Sequence, residues 1–198
     1  MAPHPPCPSD GTDERLCARD VFQALRQACP AESVLVEESP SNLPDLHAAW
    51  AIEYPDSFYA FASGALGWGT PANVGIALGE RDTGRNRPVV AVIGDGSLQY
   101  SIQSIWTAAQ HRLPVLFVVL RNGEYAILKS FAVLEETPGV QGPDLPGLDI
   151  VSLAAGYGCA AARPTTPDAI TAEITAAMQR QGPTVSEIPI DPAIPPLL

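Results

Sequence analysis

Two short polar segments carry the residue types best suited to chemistry in this chain. Gly94-Asp95-Gly96-Ser97 follows one apolar run, and Asn122-Gly123-Glu124-Tyr125 follows the next. Asp95 offers a charged oxygen and Asn122 a neutral one, 27 residues further on. That spacing is about one helix plus one strand, so both oxygens can reach the same edge of a parallel sheet. A backbone carbonyl at Glu124 adds a third oxygen. Two diphosphate oxygens and a water would then complete an octahedron around a hard cation such as magnesium. Gly96 and Ser97, at the start of the following helix, can turn backbone N–H groups toward phosphate. Taken singly, Asp-Gly and Asn-Gly are also common hairpin turns. A hairpin leaves the apolar runs on the wrong side of each turn unexplained, so the pair reads as a magnesium-diphosphate site. A nicotinamide-type glycine fingerprint fits poorly, because Leu98 and Gln99 stand where its third glycine belongs.

The elements that must position these groups alternate. Apolar periodicity predicts a helix over 14–28, and short strands are expected at 33–36 and 57–61 with a turn-rich 38–42 between them. The glycine cluster 64–69 leads to Pro71, which fits the first turn of a helix reaching about 78. The cluster alone is equally a close-packing turn. A polar loop covers 81–87. Residues 89–93 and 115–120 are fully apolar, as strands buried on both faces are, with a helix over 100–111 between them. A Pro/Gly-rich loop at 137–146 precedes a helix capped by Asp149 and ending near 157. A small-residue strand follows at 159–162. Thr166 as N-cap with Pro167 behind it opens a helix to 181, and a last strand lies at 185–188. The fold class expected is α/β, doubly wound, with a mostly parallel six-stranded sheet and helices on both faces. Residues 1–13 read as a flexible leader, 14–190 as the domain and 191–198 as a Pro-rich tail.

Composition narrows the function further. A net charge of −11 over 198 residues repels nucleic-acid backbones and makes an anionic ligand depend on metal and on backbone N–H groups. With 46% hydrophobic residues the chain can bury a sizeable core. There is no apolar stretch of membrane-spanning length, and the leader lacks a signal-peptide pattern. Four cysteines without Cys-x-x-Cys spacing read as reduced thiols, which places the chain in the cytoplasm. His47 and His111, both on expected helices, read as surface histidines, and Trp50 and Trp106 as core or interface residues. Neither a Ser/His/Asp set nor zinc-ligand spacing is present.

The wider stretch GDGSLQYSIQSIWTAAQHRLPVLFVVLRNGEY (94–125) resembles the thiamin-diphosphate fingerprint of the 2-oxo acid decarboxylase family, and in particular its benzoylformate decarboxylase branch. The likeness includes EESPSN, ASGALGWGTPANVGIAL and PGLDIVSLAAGYG. It covers roughly 15–188 and corresponds to the family's C-terminal, diphosphate-binding (PP) domain. The resemblance implies thiamin diphosphate and Mg2+ as cofactors. It makes Asp95, Asn122 and the backbone oxygen of Glu124 the metal ligands, and sets Ser41, Gly96, Ser97, Tyr100, Tyr125 and Ala126 around the diphosphate. The carbonyl of Gly64 would accept a hydrogen bond from the aminopyrimidine. Leu66 would lie under the thiazolium and hold the cofactor bent. Leu128 and Phe131 would lie near an aromatic or aliphatic 2-oxo acid, although ordinary helix-face packing explains them equally well. Three positions depart from the family: Pro40 replaces a residue that offers a hydroxyl and an N–H, Arg121 replaces the first of two asparagines, and Glu124 replaces a small hydroxyl residue.

The family's activating glutamate, which makes the pyrimidine amino group a competent base, comes from a separate N-terminal domain across a dimer interface. No residue here matches it, and Glu37 and Glu38 align with the diphosphate-side loop. The resemblance therefore implies half an active site. Met1 and the short leader favour a subunit of a split decarboxylase or carboligase, inactive alone, whose partner carries the pyrimidine-binding domain in a hetero-oligomer of two copies of each chain. Leu66 and Trp68 are expected to be exposed at the edge the partner covers. The alternative is a non-catalytic cofactor-binding relative, or a fragment of a benzoylformate decarboxylase-like or acetolactate synthase-like enzyme.

Overall fold

The computed structural model describes residues 16–137 and 139–192. The leader expected at 1–13, and the tail from 193 onward, lie outside the described residues. Six strands form one sheet: β1 (Val34–Glu38), β2 (Phe58–Ala60), β3 (Val89–Gly94), β4 (Val115–Arg121), β5 (Ala160–Ala162) and β6 (Thr184–Pro189). Their order is β2-β1-β3-β4-β6-β5 and every pairing is parallel. The expected α/β class is what the chain adopts, with the sheet parallel throughout.

Side chains alternate faces along each strand and so feed two separate cores. Leu35, Val90, Val92, Leu116, Val118, Leu120 and Ile188 face one side. There they meet α1 (Ala18–Ala28) and α8 (Pro167–Ala177), whose Phe22, Leu25, Ile170 and Ile174 are fully buried. Val34, Val36, Val89, Ala91, Ile93, Phe117 and Val119 face the other side, against α3 (Gly69–Asp82), α5 (Ser104–Gln110) and α7 (Ile150–Gly156). Burial on both faces is why β3 and β4 read as unbroken apolar runs. Expected caps are in place: the Asp149 side chain accepts from Ser152 N at 3.2 Å, and Thr166 Oγ1 from Ala169 N at 3.2 Å.

Several elements differ from the sequence expectation. The helix expected over 100–111 shortens to α5, and a separate short helix precedes it. α4 (Asp95–Gln99) starts directly at the strand end, and α5 follows after a tight turn whose N–H groups reach three residues back, as Ser104 N does to Ser101 O at 3.0 Å. α3 starts before Pro71 and runs on through Arg81 and Asp82, beyond the end expected near 78 and into the expected loop. α2 (Leu43–Ala49) and α6 (Ala126–Leu134) carry His47, Leu128 and Phe131, and the sequence sets no bounds for either helix. In α6 the pattern is inverted: Ala126 and Ser130 are buried while Leu128, Phe131, Val133 and Leu134 are exposed, so its apolar spacing does not mark a core-facing stripe. Among the described residues, no helix is long and apolar enough to cross a membrane.

The strand order fixes where a ligand can enter. From β1 the chain continues outward to β2, whereas from β3 it continues the opposite way to β4. The connections leaving the carboxyl ends of β1 and β3 therefore diverge and open a crevice between them, the position ligands take in open α/β sheets.

Candidate functional site

That crevice is lined by Ser39, Pro40, Ser41 and Asn42 after β1, by Gly94, Asp95, Gly96 and Ser97 after β3, and by Asn122, Glu124, Tyr125 and Ala126 after β4, with Leu66 at its side. Three loops distant in sequence meet there because their strands are neighbours in register: Glu38 lies opposite Ile93, and Gly94 opposite Leu120.

Asp95 is 1% exposed, and its carboxylate accepts from Gly123 N at 2.8 Å and from Gly96 N at 2.9 Å. Burial pushes its pKa up from the ordinary 3.8 to about 6, against the pull of those two N–H groups and of Arg121. A carboxylate held this deep calls for a cation. Asn122 Oδ1 turns back to Glu124 N at 3.1 Å, and Gly123 between them has φ +78°, which only glycine adopts freely. Pro143 O accepts from Tyr125 N at 2.6 Å, and Leu145 N donates to Gly123 O at 2.8 Å, so a neighbouring loop braces this turn from outside. The Tyr125 ring lies over Gly96, where a Cβ would stand 2.4 Å from Cε1. The glycine is thus required by close approach of the ring.

The three departures have distinct consequences. Arg121 is engaged away from the cleft, its Nη1 on Glu187 Oε1 at 3.0 Å, with Arg163 on the other oxygen of that buried carboxylate at 2.9 Å. Pro40 removes one N–H, but the neighbouring Ser39 hydroxyl is buried and has no hydrogen-bond partner among the described residues. Glu124 pairs through Oε2 with Lys129, which also reaches Asp144 at 2.7 Å; its Oε1 is buried without a partner. An anionic oxygen, an amide oxygen, an unmatched hydroxyl and a glycine-lined strand-to-helix turn fit a divalent cation with two phosphates.

Of the residues singled out by sequence, the cleft brings together Ser41, Leu66, Asp95, Gly96, Ser97, Asn122, Glu124, Tyr125 and Ala126. It does not bring in Gly64, Tyr100, Leu128 or Phe131. Gly64 is exposed with φ +74° in the preceding loop. Tyr100 is 58% exposed and meets Tyr125 edge-on, ring centroids 6.5 Å apart. Leu128 and Phe131 are about half exposed on α6, where Leu128 lines a separate groove of about 540 Å³ with Glu136, Thr137, Val140 and Pro143. Trp68 is 36% exposed, but Leu66 is half-buried in the cleft rather than open, which corrects the expectation of a shared exposed patch. His47 is exposed and edge-on to Phe58, His111 is exposed, Trp50 is core under Arg26, and Trp106 is on the surface.

The sequence analysis sets Glu38 on the diphosphate-side loop, whereas the structure extends the strand expected at 33–36 to Glu38, the last residue of β1. Glu38 is 0% exposed, and its carboxylate accepts from Gly67 N and Gly69 N, which begin the approach to α3. Burial raises its pKa while the N–H groups of Gly69, Gly67 and Trp68 lower it. An acidic pair closing a buried strand was the available signal, because such carboxylates need N–H partners.

Fold and crevice together define a doubly wound domain with a glycine-lined ligand site at its switch point. The chain belongs to the thiamine pyrophosphate enzyme family, whose C-terminal TPP binding domain matches residues 45–188. It is 36% identical over 169 residues to benzoylformate decarboxylase of Pseudomonas aeruginosa, covering 85% of this chain and 31% of that one. Acetolactate synthase isozyme 1 large subunit of Escherichia coli is 26% identical over 202 residues, covering 96% of this chain and 35% of that one. The crystal structure of benzoylformate decarboxylase from Polynucleobacter necessarius superposes with a TM-score of 0.92 at 46% identity, over 98% of this chain and 36% of that one. The chain spans about a third of the length of these relatives.

Proposed function

We propose that this chain is the diphosphate- and magnesium-binding part of a thiamin-diphosphate-dependent 2-oxo acid decarboxylase or carboligase, working with a pyrimidine-binding domain supplied from outside the sequence described here. The observation that carries the reading is the buried Asp95 carboxylate at the switch point, facing Asn122 across a glycine-lined cleft. Asp95, Asn122 and the carbonyl of Glu124 would hold magnesium, and the backbone of Gly96 and Ser97 would take the phosphate oxygens. Leu66 would set the shape of the cofactor from the side of the cleft, and Gly64 would offer its carbonyl to the pyrimidine. When bound, thiamin diphosphate supplies the nucleophilic carbon and the electron sink on which 2-oxo acids lose carbon dioxide. The protein groups bind, orient and exclude water around it.

The pyrimidine-binding domain would come from a second chain or from another segment of the same polypeptide, and either would supply the activating carboxylate. Calorimetry with thiamin diphosphate tests the reading. Binding should require magnesium and should be lost in Asp95→Ala; magnesium-independent binding, or full affinity in that variant, would refute it. Carbon-dioxide release from 2-oxo acids should appear only when a pyrimidine-domain protein is added. Release by the chain alone would place the activating carboxylate within this sequence.

A further inference from the structure

Glu38 is a buried carboxylate that none of the roles above uses. It closes β1 one residue before Ser39, which lines the cleft floor, and reaches 29 and 31 residues along the chain to Gly67 N and Gly69 N. The approach is tight on every side. A Cβ at Gly69 would stand 2.7 Å from Glu38 Oε2 and 2.9 Å from its Cβ. Gly67 has φ +100°, and a Cβ there would stand 2.6 Å from Tyr100 Cβ. Ser101 Oγ donates to Gly67 O at 2.7 Å, so the same residue is gripped through both its N–H and its carbonyl. Leu66 immediately precedes this grip and projects to the cleft. The 63–66 stretch itself has only a long contact of 3.5 Å, from Ala65 N to Ser63 Oγ. The position of Leu66 is therefore set from its C-terminal side.

We propose that Glu38 is a positioning residue: by holding the N–H groups of Gly67 and Gly69 it fixes Leu66 in the cleft, and so gives the site its preference for a ring-bearing diphosphate over a bare one. The inference rests on the proposed function, because it assigns Leu66 to the ring and the β3–β4 loops to the diphosphate. Glu38→Gln keeps the volume but points an amide NH2 at one of two N–H donors and removes the negative charge from the start of α3. Glu38→Asp keeps the charge and withdraws it by one methylene.

The test compares magnesium thiamin diphosphate with magnesium pyrophosphate by calorimetry on the full chain, together with amide exchange at Gly67 and Gly69 and the fluorescence of Trp68 between them. In the wild type, thiamin diphosphate should bind the tighter of the two. In Glu38→Gln that surplus should fall by about tenfold, the worth of a hydrogen bond to a charged group. Pyrophosphate should stay within about twofold, while exchange at the two glycines quickens and the Trp68 emission shifts. Should Glu38→Gln fail to fold, Glu38→Asp must show the same selective loss. Unchanged preference in a folded variant, equal loss of both probes, or undisturbed exchange at Gly67 and Gly69 would each overturn the proposal. If the wild type fails to bind magnesium pyrophosphate at all, the reading of the site itself falls, and this inference with it.

Discussion

Replacing Asp95 by asparagine should make the metal-free chain more stable while weakening its ligand binding. The folded pKa of about 6 lies above the ordinary 3.8, so between those values the folded chain holds a proton that the unfolded chain has released. The stability contribution therefore falls as pH rises through that window, and above about pH 6 the full cost of a buried charge is present, ~3 kcal/mol. Asparagine escapes this cost at every pH. It gives up about 1 kcal/mol, because its NH2 must face one of the two N–H groups, from Gly123 or Gly96, that the carboxylate accepts. The net gain at pH 7.5 is about 2 kcal/mol, or roughly 4–8 °C in melting temperature for a chain of this size. By pH 5 the gain should shrink to about 0.5 kcal/mol. With magnesium and thiamin diphosphate added the order should reverse, because the wild type gains binding energy that the variant has lost by about 10- to 100-fold. Thermal melts of both proteins at pH 5 and 7.5, with and without ligand, decide the matter. A variant that is less stable at pH 7.5 without metal, or one that binds magnesium diphosphate as the wild type does, would refute the reasoning.

Three other outcomes follow from the structure. Leu66→Ala should leave the fold intact and, in the enzyme assembled with its pyrimidine domain, lower turnover more than cofactor affinity; equal effects on both would remove Leu66 from its role. Glu80→Gln should cost about 3 kcal/mol in melts at pH 7 without altering magnesium-diphosphate binding, since buried Glu80 is gripped by Arg85 and Arg87 near the end of α3, away from the cleft. Arg87 holds the Glu80 pKa below 4.5, so this contribution is present above that pH and is lost as pH falls below it, and the difference between variant and wild type should narrow in acid. Burial pushes the thiols of Cys29 and Cys159 up to about 12 and about 11, so a thiol reagent at pH 8 should modify them only after denaturation.

How much of this was legible in the sequence depended on how local the cause was. β3 and β4 could be read directly because burial on both faces leaves an unbroken apolar run, and Asp95 and Asn122 followed from what must lie at the ends of such strands. The caps at Asp149 and Thr166 are satisfied within three residues and were equally plain. α6 was hidden because it exposes its large apolar residues and buries Ala126 and Ser130, the reverse of the pattern that marks a surface helix. The break between α4 and α5 was hidden because Ser101 is drawn toward Gly67, 34 residues away. For Glu38 the neighbouring acidic pair signals that N–H partners are needed, but not which ones, because Gly67 and Gly69 lie 29 and 31 residues away.

The two outer strands of the sheet are three residues each. β2 is flanked by the Arg87 guanidinium, which bonds the carbonyls of Pro55 and Asp56, and β5 gives way to Pro164 two residues after it ends. Neither margin offers the long row of free backbone groups along which another chain could add a strand. The sheet is closed to lateral growth. Among the described residues, side-chain surfaces rather than strand margins are what this domain presents to another protein.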